Sequence, residues 1–241
     1  MSGALGNLSR REPGRWSVWR YNWLIHPQVI AALVRARPHA HGVLLDIGCG
    51  SKPFARWFHG HVTRYLGTDL RSSAYLGAAR PEVFARAEAL PVRGGTVDTV
   101  LGLSMLEHIP EPERLLEEAR RVLRPGGILL LEFPQLVPWH DPPHDYFRYT
   151  RDGASWLLER SGFEVIEWIA IGSRMSRTGL DMIAALNRIN RGPTRWLTEL
   201  PVRGLYVAIQ LTFAGLDRLL FDPNQVIAHL VIARRGERPV R

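Results

Sequence analysis

The chain has 241 residues, 46% of them hydrophobic, one cysteine and a formal net charge of +8. Its length and apolar content suit one α/β domain with an elaboration, and the lone Cys49 excludes both an intramolecular disulfide and a cysteine cluster for zinc. The positive charge points to anionic partners, but the only lysine is Lys52 and no long basic block stands out; the excess of arginine reads as genome composition, so nucleic acid is not the expected partner.

Residues 1–40 read as an N-terminal helical lead-in. Trp16, Trp19, Tyr21, Trp23 and Leu24 alternate with Arg15 and Arg20, as in a helix packed across a domain edge; a lid or a membrane-facing segment is the alternative. Residues 1–25 lack the continuous apolar core of a secretory signal, so a cytoplasmic protein is expected.

From residue 43 the pattern alternates strand and helix. The run Val43-Leu44-Leu45-Asp46-Ile47 predicts a buried strand, and Gly48-Cys49-Gly50 after it predicts a tight turn whose backbone is open to a ligand. Residues 53–58 predict the start of a helix. Strands follow at 65–69, 83–86 and 98–101. Residues 111–123 predict an amphipathic helix, with Leu115, Leu116, Ala119, Val122 and Leu123 on one face. Pro125-Gly126-Gly127 turns the chain into an apolar, central strand at 128–133. Thr150 caps a helix ending at Ser161-Gly162, and strands at 163–170 and 226–233 complete the set. The order implies an α/β fold, a parallel sheet with helices on both faces.

Residues 172–225 read as a helical insertion. Leu180, Ile183, Ala184 and Ile189 mark one helix, and 205–220 a second. The uncharged stretch 204–216 would span about 20 Å as a helix, short of the roughly 30 Å of a bilayer core. The insertion is expected to wall the substrate pocket, form an interface, or touch a membrane surface peripherally through 196–221.

Two ligand classes compete for the glycine turn. A dinucleotide site needs a third glycine where Pro53 stands, so that reading fails. Instead, the chain carries Asp46-Ile47-Gly48-Cys49-Gly50, then Asp69, then Ala87-Glu88-Ala89-Leu90-Pro91, then Asp98-Thr99-Val100, then Leu106-Glu107-His108-Ile109-Pro110, then Leu123-Arg124-Pro125-Gly126-Gly127. This succession resembles the class I S-adenosylmethionine-dependent methyltransferases, in particular the type 11 group. The resemblance is close over 40–135 and looser to 171. It implies a Rossmann-like seven-stranded sheet with the last strand antiparallel, formed by 41–171 and 226–235. It also implies S-adenosylmethionine as cofactor. By carry-over, Asp46, Gly48, Cys49 and Gly50 line the methionine end, Asp69 and Leu70 lie at the ribose, Ala87 and Glu88 border the adenine, and Ser104 closes the pocket. Two positions depart from the family pattern: Lys52 stands where a third glycine is common, and Arg86 where an acid often accepts the adenine amino group.

Methyl transfer asks the protein mainly to align nucleophile, methyl and sulfur; a base is needed only for a protonated acceptor. Candidates lie in the loop Trp139-His140-Asp141-Pro142-Pro143-His144-Asp145-Tyr146-Phe147-Arg148, since loops beyond the carboxyl ends of parallel strands face the ligand. The functional reading makes His144 or His140 the base, oriented by Asp145, with Tyr146 and Arg148 on the substrate. The structural alternative pairs Asp145 with Arg148 and packs Tyr146 under the next helix. His108 is a further candidate at the rim. No metal is expected, because the strand at 128–133 offers no ligand cluster. The expected activity is methylation of a small-molecule acceptor, bulky and glycan- or lipid-linked, at oxygen first. The alternatives are an RNA or protein methyltransferase and a non-catalytic protein of the same fold.

Overall fold

The computed structural model describes residues 23–190 and 195–237. Trp16, Trp19 and Tyr21 of the expected lead-in fall outside them. Seven strands form one sheet: β1 Val43–Ile47, β2 Arg64–Asp69, β3 Val83–Phe84, β4 Val97–Leu103, β5 Leu123–Pro134, β6 Phe163–Ile171 and β7 Ala228–Arg235. Their spatial order is β3-β2-β1-β4-β5-β7-β6. β7 runs antiparallel to both β5 and β6, and every other pairing is parallel. The order reverses between β1 and β4, which opens a crevice at their carboxyl ends, where α/β sheets bind ligands.

Helices cover both faces. On one side, α2 Pro112–Val122 buries Leu115, Leu116, Ala119 and Val122, and α3 Arg151–Arg160 buries Ala154, Leu157 and Leu158 against β4, β5 and β7. Thr150 caps α3, its hydroxyl accepting from the Gly153 N–H. On the other side, α1 His26–Ala36 lays Val29, Ala32 and Leu33 on Leu101, Leu130 and Ile171. Two further helices, α4 Arg174–Ile189 and α5 Arg195–Leu219, pair through Ile183, Tyr206 and Ile209. They hold the start of α1 from outside: the Leu24 N–H donates to Gln210, and the Gln28 amide donates to Ser176.

Some elements differ from the expectation. Residues 53–58 make a short 3₁₀ turn, Ala55–Phe58, and no α-helix, because Gly60 at φ 81° turns the chain away within one turn. Phe58 anchors this turn, fully buried in the core. A Phe58→Ala variant should lose about 3–5 kcal/mol and melt about 10 °C lower in a thermal scan. The third strand keeps only two residues. Leu123 opens β5 instead of closing α2. The strand at 128–133 is central, between β4 and β7, but it is not wholly apolar: Glu132 is buried in it. The second insertion helix begins ten residues earlier than expected and holds Pro201 inside it. Leu200, Leu211 and Leu219 are exposed on it, Leu219 by 80%. Among the described residues, no helix is long and apolar enough to cross a membrane.

Candidate active site

A cavity open to solvent lies over the carboxyl ends of β1 and β4. Asp46, Gly48, Cys49 and Gly50 form one wall and Ser104 closes it beside β4. Val29, Leu33, Phe54, Leu103, Ile171 and Leu230 give an apolar floor, and Glu132, His108, His140 and Asp141 line the far side.

The glycine turn is shaped for close approach. Gly48 and Gly50 have φ of 71° and 52°, in the left-handed region where a side chain is strained. A Cβ on Gly50 would sit 3.1 Å from the Tyr75 carbonyl oxygen. Asp69, at the end of β2, fixes the turn: its carboxylate accepts the Gly50 N–H at 2.6 Å and the Leu70 N–H at 2.6 Å. The Tyr75 hydroxyl donates to Asp141 and so bridges the turn to the loop after β5.

Asp46 is 4% exposed. Burial pushes its carboxyl up to about 7, against a hydrogen bond donated by the Tyr65 hydroxyl at 2.5 Å. Glu132 is likewise pushed up to about 7 by burial, although the Ser104 hydroxyl donates to its carboxylate at 2.7 Å; the Ser104 N–H donates to the Glu132 carbonyl oxygen. Burial also raises the Cys49 thiol, which fits a small buried side chain and not a nucleophile.

The loop after β5 resolves the two readings of its residues. Asp145 serves His140, not His144: its Oδ2 accepts the His140 backbone N–H at 2.8 Å and lies 3.3 Å from Nδ1. His144 is exposed, outside the cavity lining, and its Nδ1 meets the Tyr146 hydroxyl at 3.0 Å. Its carbonyl oxygen, not its ring, reaches the site, 2.5 Å from His108 Nδ1. Arg148 uses all five of its N–H groups within the loop. Nε donates to Val137 O, Nη1 to Asp145 Oδ1 and Phe147 O, and Nη2 to Asp145 Oδ2 and Pro138 O. It is a clamp with no donor left for substrate, which corrects that expectation. Tyr146 is exposed and packs under no helix; Tyr149 takes that place, edge-on to Phe133.

Glu107 is a site residue that sequence reasoning misses. It is 0% exposed, and its Oε1 lies 3.8 Å from His108 Nε2 and 3.9 Å from His140 Nε2. Burial, and then the nearby Glu132, hold its carboxyl well above the usual range. Burial lowers both histidines, so both are neutral near pH 7. The signal that could have found Glu107 is its place in the chain, one position before His108.

The cavity takes no lining residue from 172–225 among the described residues. α1 supplies that wall, and α4 and α5 stand behind it.

A family model described as a methyltransferase domain, of the type 11 group, matches residues 45–131. An uncharacterized methyltransferase of Mycobacterium leprae is 31% identical over 200 residues, which cover 72% of this chain and 72% of that protein. The chain belongs to the class I S-adenosylmethionine-dependent methyltransferases. A probable S-adenosylmethionine-dependent methyltransferase of Mycolicibacterium smegmatis is 31% identical over 53% of this chain and 54% of its own length. An S-adenosylmethionine-dependent methyltransferase from Mesorhizobium loti shares the fold, with a TM-score of 0.55 and 20% identity over 88% of this chain and all of that one.

The residues of this methyltransferase fit S-adenosylmethionine at its methionine end. A buried carboxylate beside two glycines suits a ligand carrying an ammonium and a sulfonium, since each would favour the ionised form of Asp46. Asp69 keeps a lone pair on each oxygen beyond its backbone bonds, which leaves it able to accept ribose hydroxyls. Asp69, Leu70, Ala87 and Glu88 lie outside the cavity lining, and Glu88 accepts a hydrogen bond from Arg86 at 2.8 Å. Both family departures have a local reason. Lys52 sits at φ 54°, a glycine-like conformation, and its ammonium pairs with Glu82 at 2.5 Å. Arg86 points outward onto Glu88, its side chain 68% exposed.

Proposed function

We propose that this methyltransferase methylates an oxygen of a small, partly apolar acceptor held between α1 and the loop after β5. One observation carries the reading: the cavity that holds Asp46 and the glycine turn also holds His108 and His140, across an apolar floor. Bound S-adenosylmethionine supplies an activated methyl on a positively charged sulfur. Asp46 and the turn at 48–50 bind and orient its methionine end. Val29, Leu33 and Phe54 exclude water and receive the apolar body of the acceptor. His108 and His140, with Glu107 behind them, receive the hydroxyl and favour its deprotonated form, so that the oxygen–carbon bond forms as the carbon–sulfur bond breaks. Arg148 and Asp145 position His140 and do not touch the acceptor.

We further propose that 41–171 and 226–235 form the catalytic domain, with the lead-in contributing α1 as a wall and 172–225 supporting it from outside. The exposed leucines of α5 support contact with a lipid surface, which would bring a lipid-linked acceptor to the cavity mouth.

The test is transfer of labelled methyl to a panel of bulky phenols, glycosides and lipid-linked alcohols, with matched amines as controls. Turnover confined to the amines would overturn the oxygen assignment. With an accepted substrate, His140→Ala should lower kcat by about 100-fold, whereas His144→Ala should stay within about two-fold, because that residue works through its carbonyl. Comparable losses in the two variants would show the ring of His144 to be the working group.

A further inference from the structure

We propose that Glu107, His108 and His140 form a binding site for one divalent transition-metal ion of the zinc class. The three come from two segments: Glu107 and His108 lie in the 3₁₀ turn after β4, and His140 lies in the loop after β5. One ligand atom from each lies within 4.8 Å of the others.

Hydrogen bonding fixes which ring nitrogens face inward. His108 Nδ1 lies 2.5 Å from the carbonyl oxygen of His144, and His140 Nδ1 lies 3.1 Å from that of Pro138. A carbonyl oxygen only accepts, so each Nδ1 carries the hydrogen and each Nε2 presents a lone pair. Arg148 Nη2 is also 3.1 Å from His140 Nδ1, but both of its hydrogens go to Asp145 Oδ2 and Pro138 O. Carbonyl or carboxylate partners on the far nitrogen are the usual outer support of a metal-bound histidine.

Both lone pairs converge on Glu107 Oε1, and neither oxygen of Glu107 receives a hydrogen bond among the described residues. Three potential ligand atoms therefore face one another with no hydrogen bond between them. The spacings of 3.8 and 3.9 Å are too long for hydrogen bonds, which run to about 3.2 Å. They suit atoms sharing one ion at about 2.0–2.2 Å each. Glu132, whose Oε1 is also unbonded, adds a second buried carboxylate to the same cavity. Two histidines, one carboxylate and an open position define a catalytic zinc arrangement. Here the open position faces the cavity, because His108 and His140 both line it. The ion would hold the acceptor oxygen and favour its ionised form. That role rests on the function proposed above; the ion's presence does not.

The test uses Co²⁺ as probe on the untagged full chain after treatment with chelator. We expect one Co²⁺ per chain with the visible absorption of a low-coordinate site. His140→Ala and, separately, the less buried His108→Ala should each weaken uptake by about 100-fold, with folding checked by circular dichroism. Absence of stoichiometric uptake by the wild type, or equal uptake by both folded variants, overturns the site. Calorimetry with S-adenosylhomocysteine separates the two levels: cofactor binding without Co²⁺ uptake removes the metal and leaves the methyltransferase assignment, while loss of both removes the metal and points to a fault in the assigned pocket.

Discussion

Replacing Asp46 by Asn should weaken S-adenosylmethionine binding by about 100-fold and, at the same time, raise the melting temperature of the ligand-free protein. Removing one partner of a buried charge pair costs about 2–5 kcal/mol of binding, hence the loss of affinity. The gain in stability follows from the carboxyl itself. Its value is about 7 in the fold against an ordinary 3.8, so the neutral form is the one the fold prefers. That preference stabilises the protein fully below about pH 4 and is lost as pH rises through about 7, above which the ionised group is a net cost. The cost is at most about 4 kcal/mol, at 1.36 kcal/mol per pH unit. Asn carries no such charge, so the ligand-free variant should melt about 4 °C or more above the wild type near pH 8 and lose that advantage in acid. A cationic ligand draws the carboxyl down, so binding should release a proton near pH 6.5 in the wild type and none in Asp46→Asn. Calorimetry in buffers of different ionisation heat measures this directly. A variant that binds the cofactor normally would remove Asp46 from the site.

Arg148→Ala should be the most damaging change in the loop after β5. Five hydrogen bonds disappear at once, and Asp145, with 1% of its side chain exposed, is left without its cation. Loss of one partner of a buried pair costs about 3–5 kcal/mol; with a quarter of the Arg148 side chain in solvent, about 2–3 kcal/mol is expected, or about 8 °C in melting temperature. Turnover should fall with it, because Asp145 would no longer hold His140. Lysine should not rescue the variant, since an ammonium has three donors and no fork. In the wild type, burial raises the Asp145 carboxyl, but Arg148 and the His140 N–H hold it below the usual carboxylate range. It therefore stabilises the fold at neutral pH and loses that effect as pH falls through its depressed value. The deficit of the variant should accordingly be largest near neutrality and narrow in acid. Equal melting curves for the wild type and Arg148→Ala would contradict the clamp.

The sheet was legible because its signals are local and repeated: Val43–Ile47 is an apolar run, α2 repeats its leucines at helical spacing, and Thr150 is a cap followed by helix. The glycine turn was legible because backbone room at Gly48 and Gly50 is a property of the residue type. The polar side of the site was not. Nothing local says whether Asp145 serves His140 or His144, and the answer is set by Arg148 folding back over five acceptors. Glu132 was hidden inside a strand read as apolar, where its burial depends on β4 and β7 packing on either side. Glu107 and His140 stand 33 positions apart, and only the neighbouring ends of β4 and β5 bring them together. Length misled at residues 53–58, where Gly60 ends the turn before a helix can form.

The methionine end of the cofactor is expected to lie against Asp46, with its sulfur turned toward His108 and His140. A crystal structure with S-adenosylhomocysteine bound tests this most directly. The ammonium within hydrogen-bonding distance of the Asp46 carboxylate, and the sulfur facing the two histidines across the cavity, is the expected result. Ligand density elsewhere, or a sulfur turned away from that pair, would contradict it.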